Sequence, residues 1–245
     1  MTKNTSYKIL NAWQLKLVMV FLMTLNHLEY IYQFIQGDLR SIFIIISRCV
    51  APVFAYLAIE GVLHTQNLKN YCIRLLIWSF IVTTGNILLE FILKGFASGI
   101  ALGDQVFLVV RTNITITLAA GVFCIALIKW GQANEGVTHI LLYGGSLVCF
   151  IIGFIFEWGI VLLPFMLVTY FFQERGTKKY MGYAIVEGIA ILFRSEIFYF
   201  LAFPFIALYN GKRGPNGKFN KYFFYVFYPV HLWVIAIINF FILSR

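Results

Sequence analysis

The chain has 245 residues, 61% of them hydrophobic and only 12% charged, with a mean hydropathy of +0.84. A water-soluble domain covers its surface with roughly a quarter charged residues, so this composition excludes a soluble globular protein and points to an all-α, polytopic integral membrane bundle. The net charge of +9 would suit nucleic acid, but the cations follow the pattern that sets membrane orientation, and no nucleic-acid partner is expected.

At roughly 20 residues per span, the chain accommodates about nine transmembrane helices, with eight to ten compatible, in a single domain over 1–245. The apolar runs fall near 13–35, 41–63, 72–93, 111–129, 138–156, 158–173, 180–193, 195–210 and 222–243. The first run is too long for a cleavable signal and more spans follow it. Eleven cations (Lys3, Lys8, Lys69, Lys129, Arg175, Lys178, Lys179, Lys212, Arg213, Lys218 and Lys221) occupy alternate connections. Five (Arg40, Lys94, Arg111, Arg194 and Arg245) occupy the others. That asymmetry predicts a cytoplasmic N-terminus.

Ionisable groups inside such spans are costly unless paired or placed in a wet cavity, so they are the functional candidates. Span one carries Asn26-His27-Leu28-Glu29-Tyr30. An imidazole there can take a proton from an attacking amine or hydroxyl, or be a structural histidine bonded to a neighbouring span. Span two carries Arg48, which stays charged and must face an anion or water, and Pro52, which interrupts the helical ladder one turn later. Glu60 and His64, four residues apart, share a face at the end of that span. They read as a carboxylate orienting an imidazole or as an interfacial pair.

In span four, Asn113, Thr117 and Gly121 form a stripe at spacing four, which is either a polar wall or a helix-packing surface. Glu157 falls in a short external turn, Glu187 within span seven, and Arg194-Ser195-Glu196 in an external hairpin. Asn210 to Lys221 is a basic, glycine-rich internal connection that Pro215 keeps from forming a helix. It suits an anionic cytoplasmic ligand or acidic lipid. Span nine carries Tyr228-Pro229-Val230-His231, where the proline exposes polar backbone beside the histidine.

Cys49, Cys72, Cys124 and Cys149 all lie in apolar spans and read as packing residues. No metal site is expected, because His27, His64, His139 and His231 are far apart and no carboxylate cluster accompanies them. The sequence has neither a phosphate-binding glycine loop nor a Gly-x-Ser-x-Gly elbow. The intramembrane residues therefore fit group transfer by general base catalysis, and equally a proton-coupled carrier.

Several blocks resemble the TraX family of integral membrane proteins. They are LNHLEYIYQF near the end of span one, SRCVAPVFAYLAIEGVLHTQNLKNYCIR from Ser47 to Arg74, and the Asn113-x-x-x-Thr117-x-x-x-Gly121 stripe. Glu157-Trp158-Gly159 with Leu163-Pro164, Leu208 to Gly211, and YVFYPVH from Tyr225 to His231 complete the set. The resemblance implies a membrane acetyltransferase of the bacterial plasma membrane, since the family is associated with acetylating pilin N-terminal amines. It implies acetyl-CoA as acyl donor and a peptide, surface glycan or lipid-linked acceptor. His27 would be the general base, with Glu60 and His231 beside it in catalysis. Arg48, His64, Asn113, Thr117 and Arg194 would line the substrate cavity, and the donor's phosphates would lie near Lys212, Arg213 or Lys69.

The chain departs from the family pattern at Asn26, where many relatives have Asp, and at Thr83-Thr84-Gly85-Asn86, where relatives carry an acidic or amide residue followed by Pro. Glu29, Glu60 and Glu90 are the candidates to supply the carboxylate. The rival expectations are a proton-coupled transporter using the same histidines as a relay, and a non-catalytic partner in pilus or secretion assembly.

Overall fold

The computed structural model describes residues 8–31, 34–96, 113–156, 158–173, 176–194 and 198–244. These residues form α1 (Ala12–His27), a 3-10 turn (Leu28–Tyr30), α2 (Gly37–Ser47), α3 (Val50–His64), α4 (Leu68–Phe96), α5 (Ile114–Gln132), α6 (Gly136–Ile155), α7 (Gly159–Phe171), α8 (Gly176–Arg194), a 3-10 turn (Phe198–Leu201), α9 (Ala202–Leu208) and α10 (Lys218–Leu243). Among the described residues, five helical stretches are long and apolar enough to cross a membrane: Gly37–His64, α4, α5, α6 and α10. Helix α7 is a shorter apolar helix. Large side chains such as Phe80, Phe91, Ile155 and Leu192 are 70%, 76%, 78% and 84% exposed. Water would not tolerate that many outward-facing apolar groups, whereas lipid requires them. The protein is a helical membrane bundle.

Three of the expected spans are built differently from a plain helix. Span one stops being α-helical at His27 and continues as a 3-10 turn, so the histidine sits where the ladder ends. Span two is broken at Arg48 and Cys49. Pro52 lies in the first turn of α3 and has no N–H to give the carbonyl four residues back, which belongs to Arg48. The eighth run becomes a 3-10 turn followed by the seven-residue α9.

The chain divides into two compact units, one made of 1–50, 81–112 and 201–245, the other of 51–80 and 113–200. In the first, α1 packs against α2 and α10, and Ile31, Leu93, Leu232, Ile235, Ala236 and Phe240 form a buried apolar cluster. Helix α1 begins with a capping box: Asn11 Oδ1 accepts from the backbone N–H of Gln14 (2.9 Å) and Gln14 Oε1 from that of Asn11 (3.1 Å). Both exchanges satisfy donors that a helix start leaves open. Leu10 pairs in parallel with Tyr209, so α1 and α10 both begin near this bridge.

In the second unit α5 packs on α6 and α7, and α7 on α8. Close approach depends on small residues, as expected where lipid offers no hydrophobic drive between helices. A Cβ at Gly153 would lie 2.8 Å from Ala120 Cβ, and one at Gly182 would lie 2.7 Å from Val168 Cγ1. Tyr183 is buried, and its hydroxyl meets that of Thr169 at 2.9 Å.

Candidate functional site

The first unit brings His27 and His231 together. Helix α1 delivers His27 as its last residue, and α10 delivers His231 two residues past Pro229. His231 Nε2 lies 2.9 Å from His27 Nδ1, and His231 Nδ1 lies 2.9 Å from the carbonyl oxygen of Phe227. The Phe227 ring stacks on His231 at 5.1 Å and Tyr30 stacks on His27 at 5.8 Å, so aromatic faces hold both imidazoles.

These contacts set the proton positions of the neutral pair. A carbonyl oxygen only accepts, so His231 carries its proton on Nδ1 and presents a lone pair on Nε2. His27 must then donate from Nδ1, which leaves its Nε2 as a lone pair. That nitrogen has no hydrogen-bond partner among the described residues. A positioned imidazole with an unoccupied basic nitrogen is the form a general base takes.

No carboxylate bonds His27 among the described residues. Asn26 turns to Ser47, whose hydroxyl hydrogen-bonds Asn26 Oδ1 at 2.9 Å and the carbonyl of Ile44 at 2.8 Å. Glu29 faces Arg40, with Nε 3.3 Å from Oε2. That approach is an ion pair without an aligned hydrogen bond, so Oε2 is buried with no donor. Arg48, at the break between α2 and α3, is a second cation whose field reaches Glu29. Glu90 is bound to Lys94 at 2.6 Å, one helical turn on.

The second unit holds the other candidates, which take local roles there. Glu60 Oε2 and His64 Nε2 are 4.0 Å apart, with the Glu60 side chain 17% and that of His64 64% exposed. The two groups face each other one helical turn apart, as their spacing of four allowed. Asn113 caps α5 by accepting from the backbone N–H of Thr115 at 3.1 Å. Thr117 is fully buried, and a Cβ at Gly121 would lie 2.5 Å from Met166 Sδ, so the stripe lies in a helix-packing surface. Arg194 ends α8, and its side chain lies outside the described residues, as do Glu157, Ser195 and Glu196. Lys212 and Arg213 belong to the first unit and are exposed on the connection between α9 and α10.

One contributor to the first unit leaves no trace in the sequence, and another shows there only as a departure from the family pattern. The Phe227 carbonyl that fixes His231 is backbone and has no residue signature. Asn86 accepts from Trp233 Nε1 at 2.8 Å, joining α4 to α10. Indole only donates, so the amide oxygen faces it and Nδ2 stays buried without a partner. The replacement of the family's pattern at this point of span three was the available signal for Asn86.

Comparison with known proteins agrees with the sequence motifs. The family described as "TraX protein" matches residues 12–239. A probable fimbrial assembly protein FimC, serogroup H1, from Dichelobacter nodosus is 24% identical over 259 residues, covering 95% of this chain and 96% of the relative. No solved structure matches.

Proposed function

The chain belongs to the TraX family, and from that premise we propose that it transfers an acetyl group from acetyl-CoA to an amine or hydroxyl of an exported or membrane-associated acceptor. The observation that carries the reading is the His27–His231 pair at 2.9 Å, with His27 Nε2 left as a lone pair. In the transfer, the acceptor N–H or O–H gives its proton to His27 Nε2 as the nucleophile attacks the thioester carbonyl. The C–S bond then breaks, and the coenzyme A thiolate takes the proton back. His231 Nε2 accepts from the Nδ1–H of His27 throughout, the orienting role that a carboxylate fills in hydrolase triads. A neutral imidazole holds the base but leaves its positive charge unneutralised, so less stabilisation comes from this partner than a carboxylate would give.

Arg48 stands in the same unit as a donor for the developing oxyanion. The relative carrying the name fimbrial assembly protein favours a pilin-like peptide over a surface glycan as acceptor. The site is a bacterial plasma membrane, with the N-terminus and the donor on the cytoplasmic side.

A proton relay would use the same pair, but a proton leaving by His231 Nδ1 meets a backbone carbonyl, which does not titrate. The geometry thus favours a base over a conduit. The test is to incubate the purified protein with acetyl-CoA and a pilin-type peptide bearing a free N-terminal amine, then to look for the mass of one added acetyl group. Acetylated peptide that disappears in His27→Ala supports the reading. Uptake of a solute driven by a proton gradient, with no acetylated product from any amine or hydroxyl probe, would replace it with the carrier.

A further inference from the structure

We infer that the connection before α10, strapped to the N-terminal segment, binds the phosphates at the nucleotide end of a coenzyme A thioester. This rests on the acetyl-CoA reading above and adds to it the place where the donor is held. Segments 8–16 and 208–224 contribute Lys8, Lys16, Lys212, Arg213, Lys218 and Lys221 and contain no Asp or Glu. All but Lys16 are exposed, so the surplus positive charge faces solvent.

The connection has a built conformation. Leu10 N–H donates to the Leu208 carbonyl (3.0 Å), Asn210 N–H to that of Leu10 (2.9 Å), and Ala12 N–H to that of Lys212 (2.8 Å). The Asn210 side chain accepts from the N–H of Lys212 at 2.9 Å. Gly211 and Gly214 turn the chain at φ values of 77° and 84°, which side chains with a Cβ rarely adopt. At Gly214 a Cβ would also lie 2.6 Å from Asn11 Oδ1, so the basic loop is pinned against the start of α1. Attraction to acidic lipid needs only charge, whereas this loop fixes where its cations stand.

Distance selects the ligand. From Ala12 to His27, α1 rises roughly 22 Å, and from Lys218 to His231, α10 rises roughly 20 Å, at 1.5 Å per residue. Both helices start beside the loop and reach the histidine pair at matching depth. An extended pantetheine arm bridges a distance of this order between its pyrophosphate and its thioester. A ligand with phosphates on the loop and an acyl carbon at His27 is therefore a coenzyme A thioester, and a lipid headgroup has no use for the second point.

The test measures equilibrium binding of adenosine 3′,5′-bisphosphate to the full chain in neutral detergent. The comparison is with Lys212→Gln/Arg213→Gln, with Lys212→Arg as the charge-conserving control and unfolding midpoints as the check on folding. The wild type and Lys212→Arg are expected to bind, the double variant about tenfold or more weakly, and added salt to weaken all of them. His27→Ala is expected to bind as the wild type does. Equal binding by the folded double variant would overturn the assignment. So would a wild type that ignores the bisphosphate yet uses these two residues to bind vesicles containing phosphatidylglycerol. Acetyl-CoA turnover with loop-independent binding removes the loop and keeps the transferase. Loop-dependent binding without turnover of any acyl-CoA does the reverse.

Discussion

His27 and His231 are 204 residues apart in the chain and 2.9 Å apart in the fold. Their contact joins the end of α1 to the middle of α10, and a backbone carbonyl at Phe227 orders the protons of both rings. The chemistry proposed for the protein depends on that order, because it is what leaves His27 Nε2 as a base.

Removing the base and removing its holder should have related but unequal effects. His27→Ala is expected to lower acetyl transfer roughly a hundred- to ten-thousand-fold, the usual contribution of a general base. His231→Ala should lower it less, and His231→Asn, whose amide oxygen can still accept from Nδ1, should recover part of the loss. The double alanine variant should be no slower than His27→Ala, since the two act as a unit. Rates of coenzyme A release by the four variants check all three statements.

The Glu29–Arg40 pair should respond asymmetrically. Arg40 is 56% exposed and Glu29 13%, so a lone Arg40 stays solvated while a lone Glu29 does not. Glu29→Gln is expected to cost less than about 1 kcal/mol of stability. Arg40→Gln should cost more, about 1–2 kcal/mol, because it strands a largely buried carboxylate with only the field of Arg48 to compensate. Thermal unfolding of both variants in one detergent gives the comparison.

Trp233→Phe should destabilise the first unit by about 1–3 kcal/mol. Its ring volume is partly kept, but the amide oxygen of Asn86 loses its donor beside an Nδ2 that already lacks an acceptor. Trp233→Phe with Asn86→Leu should be closer to wild type than Trp233→Phe alone, since both polar partners are then removed. Unfolding midpoints of the single and double variants decide this.

Glycine positions separate packing from freedom in the second unit. A Cβ at Gly159 would overlap the carbonyl oxygen of Gly153, which is backbone and cannot rotate away. Gly159→Ala is therefore expected to cost about 1–3 kcal/mol or to prevent folding. Gly144 lies within α6 with nothing within 4 Å of an added Cβ, so Gly144→Ala should be neutral or stabilising by up to about 1 kcal/mol. Parallel unfolding curves test the pair.

The membrane-bundle class was legible because apolar run length is a one-dimensional property that composition records directly. The break at Arg48 was legible through Pro52, whose missing N–H acts on a residue at fixed spacing. The candidate site was legible only as a set of types. His27 and His231 each stood out as ionisable groups in apolar spans, but their pairing depends on how α1 packs against α10, and no spacing along the chain encodes it. The triad pattern predicts a carboxylate beside His27, and the structure instead supplies a second imidazole held by main chain. Asn113 and Thr117 drew notice as polar residues in a stripe. In the structure the first caps α5 and the second is buried in its packing, roles that a stripe of small and hydroxyl residues serves as readily as a polar wall.

The most direct test of the central claim is coenzyme A release from acetyl-CoA by the purified protein, measured beside His27→Ala with both shown to be folded. A wild-type rate above the uncatalysed background that falls to background in the variant is the expected result. Equal release by the two proteins, or none by either across a panel of acyl-CoA donors, would contradict it.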